Sequence, residues 1–302
     1  MSTKLRLDHY IVGATRAIQD ILAAYQEIGF TVSPPEETVR HEPGLRTGFL
    51  YFSPKPSMDY IEFLTVEDNE TFAAAQARSE EEWTNRPCAQ GLGVRVTDAA
   101  GVHAALAAQG TPVKPLTSKR PEGAAEDTPF VWSFITLDKP ASGLGAFYVQ
   151  YHREKTPKEP ELIDGGNGIY ALGGVLYDAA STSVAAADLA KDFPAGIVKV
   201  DGADVTIGCH KVLVRTFSDF AAAAGGKGLL RNTELKIYGA LLYSSDLAKT
   251  AKALNGKWKP HIVRKDEILL VPTDHEGLAA VVRQKDVQEW KKERLGTGEW
   301  LF

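Results

Sequence analysis

The chain has 302 residues, 44% of them hydrophobic and 24% charged, and 34 Lys and Arg against 39 Asp and Glu give a formal net charge of -5. That is the composition of a globular protein long enough for two domains. No dense basic block with interleaved aromatics occurs, which argues against a nucleic-acid partner, and no run of about 18 apolar residues exists to span a membrane.

The N-terminal stretch carries Lys4 and Arg6 and then enters an alternating segment, so no secretory signal is expected. Cys88 and Cys209 lie far apart in no paired motif, which argues against a disulfide scaffold or a thiolate metal cage. Together these features predict a cytoplasmic protein.

In chain order, Leu5 to Ala14 (LRLDHYIVGA) predicts a strand. Thr15 is placed to cap the helix that follows, in which Ile18, Ile21, Leu22, Tyr25 and Ile28 recur at helical spacing. Gly29 suits the helix C-terminus, where a residue tolerating positive φ is favoured. A short strand follows at Phe30 to Ser33, then two more at TGFLYFS (47–53) and MDYIEFLTV (58–66).

The same order recurs. GLGVRVTD (91–98) predicts a strand and Val102 to Gln109 an Ala-rich helix, stopped by Gly110. Thr111 to Leu116 is extended, and FVWSFITL (130–137) and LGAFYVQYH (144–152) complete the set. A second copy of one element order marks an internal repeat. Residues 154–166, with Pro157, Pro160 and a Gly pair, read as a linker between domains at 1–153 and 167–302. Beyond it the pattern returns twice in weaker form, and Phe220 to Gly228 reads as a loop or frayed helix. The expectation is an α+β protein of four βαβββ modules, paired into curved mixed sheets with helices outside.

Several segments together resemble the glyoxalase-like domain family of the vicinal-oxygen-chelate superfamily. They are LDHYIVGA (7–14) with GFTV (29–32), DYIEFL (59–64), SKRPEG (118–123), the strand around Trp132, FYVQYH (147–152) and GGNGIYALGGVLYD (165–178). The resemblance implies that two modules curl into one cup holding the substrate and, where present, a divalent metal. It implies ligand positions at His9, Glu62, a site at or beside Gly93, and Gln150. Gly93 supplies no side chain, and Gln150 is a neutral amide where related sequences tend to have a carboxylate.

The site expected is therefore a cup with His9, Glu62 and Gln150 as metal ligands. The ion would be one divalent metal of the Zn, Ni, Mn or Fe kind. Glu62 would be the catalytic carboxylate, and Arg46, Arg95, Trp132 and His152 would contact substrate. The competing reading is a metal-free cup in which His9 is a hydrogen-bonded strand histidine and Glu62 pairs with Arg95 or Arg46. Cys209 and His210, adjacent on a predicted strand, are expected to point to opposite faces. Neither GKG (226–228) nor LGG (172–174) has the context of a phosphate loop, so no nucleotide cofactor is expected. A ring-cleaving dioxygenase is rejected, because its iron-ligand positions in the second pair would fall near Gly174, Ala240 and Val281.

The function expected is that of a glyoxalase-like lyase, isomerase or hydrolase acting on a small carbonyl or lactone-like molecule. The alternative is a protein that binds or sequesters a small molecule in the same cup without catalysis. A small-molecule ligand is the expected partner in either case, and a homodimer is left open.

Overall fold

The computed structural model describes residues 5–14, 16–35, 39–42, 44–52, 59–68, 70, 71, 74, 91–120, 129–152, 165–225, 237–258, 261–271 and 279–296. Cys88, the end of the SKRPEG turn, most of the expected linker and the C-terminal tail lie outside them.

The first half runs β1 (Leu5–Ala14), α1 (Ile18–Glu27), β2 (Thr31–Val32), β3 (Val39–Glu42), β4 (Leu45–Tyr51) and β5 (Tyr60–Val66). It repeats as β6 (Gly91–Val96), α2 (Ala99–Ala108), β7 (Thr117–Lys119), β8 (Trp132–Thr136) and β9 (Gly145–Tyr151). The second half runs β10 (Ile169–Asp178), α3 (Thr182–Lys191), β11 (Lys199–Asp201), β12 (Asp204–Ile207), β13 (His210–Arg215) and α4 (Phe217–Ala223). It ends with β14 (Ile237–Ser244), α5 (Leu247–Leu254), β15 (His261–Val263), β16 (Glu267–Leu270), β17 (Ala279–Gln284) and α6 (Val287–Gly296).

The helix boundaries follow from local chemistry. In α1 the buried residues are Ile18, Ile21, Leu22 and Tyr25, one stripe of a helix surface. Its N-cap is Ala17, with no side-chain cap; the expected cap, Thr15, lies outside the described residues. At the other end Gly29 adopts φ 86°. Its N–H donates to Gln26 O, and the Phe30 N–H donates to Tyr25 O. This is the Schellman arrangement that satisfies a helix's last carbonyls. Gly110 (φ 82°) ends α2 in the same way, with Thr111 N–H donating to Leu106 O. The repeat therefore extends to capping. α2 begins earlier than its apolar spacing predicts, because Asp98 caps it by accepting from the Gly101 N–H. Of the segment expected to be a loop or frayed helix, Phe220–Ala223 is the end of α4, and residues 226–228 lie outside the described residues.

Two mixed sheets result. The first has nine strands in the order β2-β4-β5-β1-β6-β9-β8-β7, with β3 pairing on β4. The second has eight in the order β11-β12-β13-β10-β14-β17-β16-β15. In each module the first strand pairs parallel with the last (β1/β5, β6/β9, β10/β13, β14/β17). The modules join antiparallel at β1/β6 and β10/β14. Four βαβββ modules in two sheets are thus the architecture, as the element order predicts.

Helices α1, α2, α3 and α5 cover the face of each sheet that turns away from its cup. Those helix-covered faces share one apolar core, to which Tyr25, Leu106, Leu189, Leu254 and Trp258 all belong. Helices outside each cup are therefore inside the molecule. The cup of the second sheet is filled. Leu213, Tyr238, Leu241, Tyr243 and Val281 pack there with Phe217 and Phe220 of α4 and Trp290 of α6.

The halves are also joined by buried charge. Asp59, just before β5, receives Nη1 and Nη2 of Arg294 from α6 at 2.5 and 3.3 Å. Arg6 Nη1 lies 3.6 Å from it, and Nε2 of His210 3.7 Å. All four are buried. Burial by itself would raise the Asp59 pKa, but Arg294, His210 and Arg6 outweigh it and hold the carboxyl at about 2. Because this pKa is depressed by folding, the stabilisation is present above the unfolded value near 4. It is lost as pH falls toward 2. Asp59→Asn is expected to lower stability at neutral pH by on the order of 2 kcal/mol. The variant's denaturation midpoint should also fall less steeply than the wild type's between about pH 4 and pH 2.

Candidate active site

The site begins with an irregularity in β1. Its register against β6 shifts between Leu7 and His9. Strict alternation would send neighbouring side chains to opposite faces, yet Asp8 and His9 both reach the cup. His9 Nδ1 lies 2.8 Å from Asp8 Oδ2. On the far side of the imidazole, Nε2 lies 3.7 Å from Glu62 Oε2. The ring thus stands between two carboxylates.

Asp8 is 0% exposed. A carboxylate so placed is costly unless donors surround it. Arg95 Nε donates to its Oδ1 at 2.7 Å, and the Tyr151 hydroxyl donates to Oδ2 at 3.0 Å. Burial alone would raise its pKa. Arg95, His9 and Arg6 reverse the sign and hold the group well below the usual carboxylate range. Asp8 is therefore a fixed negative charge at neutral pH.

The imidazole is held on its faces too. Tyr60 stacks on it with centroids 4.5 Å apart and planes 9° from parallel, as their pairing across β1 and β5 requires. Phe147 lies against it at 5.1 Å. Burial, then neighbouring charge, raises the pKa of Tyr60 and Tyr151 well above normal, and their hydroxyls are hydrogen-bonded to each other. Both stay protonated, so Tyr151 is a permanent donor to Asp8. Beyond these, Phe49 meets Tyr60 at 5.4 Å and Tyr51 at 5.8 Å. Phe134 meets Phe147 at 5.0 Å and Trp132 at 5.9 Å. The cup is a polar pair in an aromatic wall.

Gly93 has a positive role here. It is the β6 partner of His9, and a Cβ at that position would stand 2.5 Å from His9 Cε1. The position that resemblance marks as a lost ligand is where the imidazole lies.

Of the residues expected at the site, His9, Glu62, Arg95 and Trp132 share this cup. Arg95 is committed to Asp8, and its guanidinium lies 4.5 Å from the Tyr151 ring centroid. Three others face elsewhere. The cup side of β9 carries Phe147, Val149 and Tyr151, which leaves Gln150 and His152 on the helix side. The Gln150 Oε1 accepts from the Ala99 N–H at the start of α2 at 2.8 Å, so it caps a helix rather than facing a metal. His152 Nε2 bonds Ser133 Oγ at 2.7 Å. Arg46 is three residues from Phe49, on the opposite face of β4, and pairs with Glu67 at 2.6 Å. Asp8, Tyr60, Phe147 and Tyr151 complete the site and were not anticipated. Alternation from Glu62 leads to Tyr60, but nothing in the sequence marks the shift that turns Asp8 inward.

Does this set fit a divalent ion? His9 Nε2 and Glu62 are two donors on one side of the ring, and Asp8 is blocked behind Nδ1. Gln150 points away and Gly93 has no side chain. Among the described residues no three of His, Cys, Asp and Glu converge as a metal site. Catalytic sites for such ions use three protein ligands or more, so the residues present do not fit one.

Paired βαβββ modules are the architecture of the vicinal-oxygen-chelate superfamily. Within it the chain belongs to the glyoxalase-like domain family, whose model matches residues 7–193. A solved structure of a hypothetical protein from Staphylococcus aureus is similar over 93% of this chain and 99% of its own, with 12% identity and a TM-score of 0.55. A methylmalonyl-CoA epimerase from Mycobacterium tuberculosis is similar over 48% of this chain and 87% of its own, at 18% identity and a TM-score of 0.34. An epimerase of that name in complex with methylmalonyl-CoA and NH4+ gives 51% and 99%, 16% identity and a TM-score of 0.37. The comparison with curated proteins finds no match. Among the described residues no helix is long and apolar enough to cross a membrane.

Gly93→Ala tests the geometry of the imidazole. Its methyl group and the His9 ring cannot both keep their places, and overpacking of this kind costs about 1–3 kcal/mol. The expected result is a lower thermal midpoint and a displaced His9 side chain in the variant's crystal structure.

Proposed function

We propose that the protein is a glyoxalase-like enzyme that moves a proton on a small carbonyl or lactone-like molecule in the N-terminal cup, without a chelated metal. One observation carries this reading: Asp8 Oδ2 is 2.8 Å from His9 Nδ1, and Glu62 lies 3.7 Å beyond Nε2. With Nδ1–H donating to Asp8, Nε2 is the ring position open to proton transfer. A carboxylate behind an imidazole fixes its tautomer and stabilises the imidazolium that forms. Glu62 and Nε2 then act as a pair in which Glu62 takes the proton from a carbon beside the carbonyl, or from a water attacking a lactone. His9 returns it. The ligand is flat and weakly polar, matching Phe49, Tyr51, Phe134 and Trp132. The buried free thiol of Cys209 agrees with a reducing compartment, and we place the protein in the cytoplasm.

The aromatic wall favours a second reading, a cup that binds such a molecule without turnover. Aromatic surface with a few polar anchors suffices for binding. The test is a screen of small carbonyl compounds and lactones by thermal shift, with turnover of each hit followed by NMR. On a turned-over hit, Glu62→Gln and His9→Gln should each lower kcat by roughly 10²–10⁴-fold, the usual range for a lost general acid or base. Chelator should leave the wild-type rate unchanged. Activity that vanishes with chelator and returns with one divalent ion would sink the metal-free reading. Hits that bind without turnover would favour the binder.

A further inference from the structure

Asp59 is adjacent in sequence to Tyr60, whose ring stacks on His9. We infer that Arg294 and His210, both from the C-terminal half, are positioning residues for the His9–Glu62 pair, acting through Asp59. The inference rests on reading that pair as the reacting site.

The contacts run in one direction. Arg294 binds Asp59 through both terminal nitrogens, at 2.5 and 3.3 Å, and His210 Nε2 stands 3.7 Å away. A bidentate guanidinium fixes the plane of a carboxylate as well as its position. The Asp59 backbone is tied as well, its carbonyl accepting from the Phe52 N–H at 2.9 Å. The start of β5 is thus set by groups from the other half. Tyr60, the next residue, touches the site twice: its ring forms one wall of the imidazole, and its hydroxyl bonds that of Tyr151, which donates to Asp8. A shift at Asp59 therefore reaches both the stacked face of His9 and the carboxylate behind Nδ1. Arg6 provides a second route. It lies 3.6 Å from Asp59 and, two residues along β1, its charge helps hold Asp8 ionised.

The donors on the other side are themselves anchored. Trp290 and Arg294 are four residues apart on α6 and so share a helix face. Trp290 stands edge-on to His210 with centroids 5.3 Å apart, and it is 0% exposed in the filled second cup. Docking α6 into that cup delivers Arg294 to Asp59. Cys209 Sγ lies 3.5 Å from His210 Nδ1. Burial lowers the His210 pKa, but the charge of the Cys209 sulfur and then the Asp59 carboxylate outweigh it and raise it to about 9.

The test reads His9 in the free, full-length protein by NMR, its signals assigned with His9→Gln. Stacking on Tyr60 should shield the ring protons, and the bond to Asp8 should protect and deshield Nδ1–H. In Arg294→Met the shielding and the protected Nδ1–H signal should both be lost while circular dichroism stays native. Arg294→Lys, which keeps the charge without the fork, should recover part of each. A folded Arg294→Met with wild-type His9 signals overturns the inference. Should that variant not fold, His210→Asn gives the same readout: displaced His9 signals support the inference, and unchanged signals in a folded protein overturn it. No turnover is needed, so a failed activity screen would bear on the proposed reaction alone.

Discussion

The constraint on which the site depends is the complete burial of one carboxylate. Asp8 is shut off from bulk solvent, so it must be neutralised from within. It recruits Arg95 from β6, His9 from its own strand and Tyr151 from β9. Each recruitment has a consequence. Arg95 is committed and is not free to hold a substrate anion. His9 presents Nε2, and only Nε2, to the cup. Tyr151 ties the second module to the first, so the site exists only when the two modules are paired. Gly93 must lack a side chain because the imidazole that serves Asp8 lies over it.

The two halves use one topology in opposite ways. Gly174 pairs with Leu241 and Lys211 as His9 pairs with Gly93 and Tyr60. Leu213 corresponds in the same register to Glu62. The counterparts of His9 and Glu62 are thus a glycine and a leucine, and the second cup closes into an apolar core plugged by α4 and α6. The counterpart of Gly93 is Leu241 rather than Ala240.

Much of this was legible in the sequence, and the failures have physical causes. The repeat was readable because apolar periodicity and glycine stops recur in one order. His9 and Glu62 were readable as cup residues because they are polar on strands otherwise filled with apolar side chains. Resemblance puts Gln150 in the cup, and alternation cannot correct that placement, because GAFYVQY is apolar and aromatic on both faces. Tyr148 is as buried as any cup residue, but on the helix side, where its hydroxyl donates to the Asp192 carbonyl. Asp8 was missed because its orientation depends on a register shift, a property of strand pairing. Cys209 and His210 were expected to diverge, yet they bond. Gly208 (φ 62°) makes a turn there, and Cys209 belongs to that turn rather than to β13.

An imidazole between two carboxylates also separates two kinds of chemistry that the same cup can support. A chelating site needs its lone pairs to converge on one point, with anionic donors on the side of the ion. Here Asp8 lies behind the ring, bonded to Nδ1 at 2.8 Å, and cannot reach an ion in the cup. Glu62, on the open side, faces Nε2 across 3.7 Å, a distance that a substrate atom or a water can bridge with a hydrogen bond to each. Gly93 links the two facts. A carboxylate there would restore a ligand and evict the imidazole from its place, so gaining the chelate would lose the Asp8–His9 pair. The glycine thus keeps the Asp8–His9 pair at the expense of a ligand at that position.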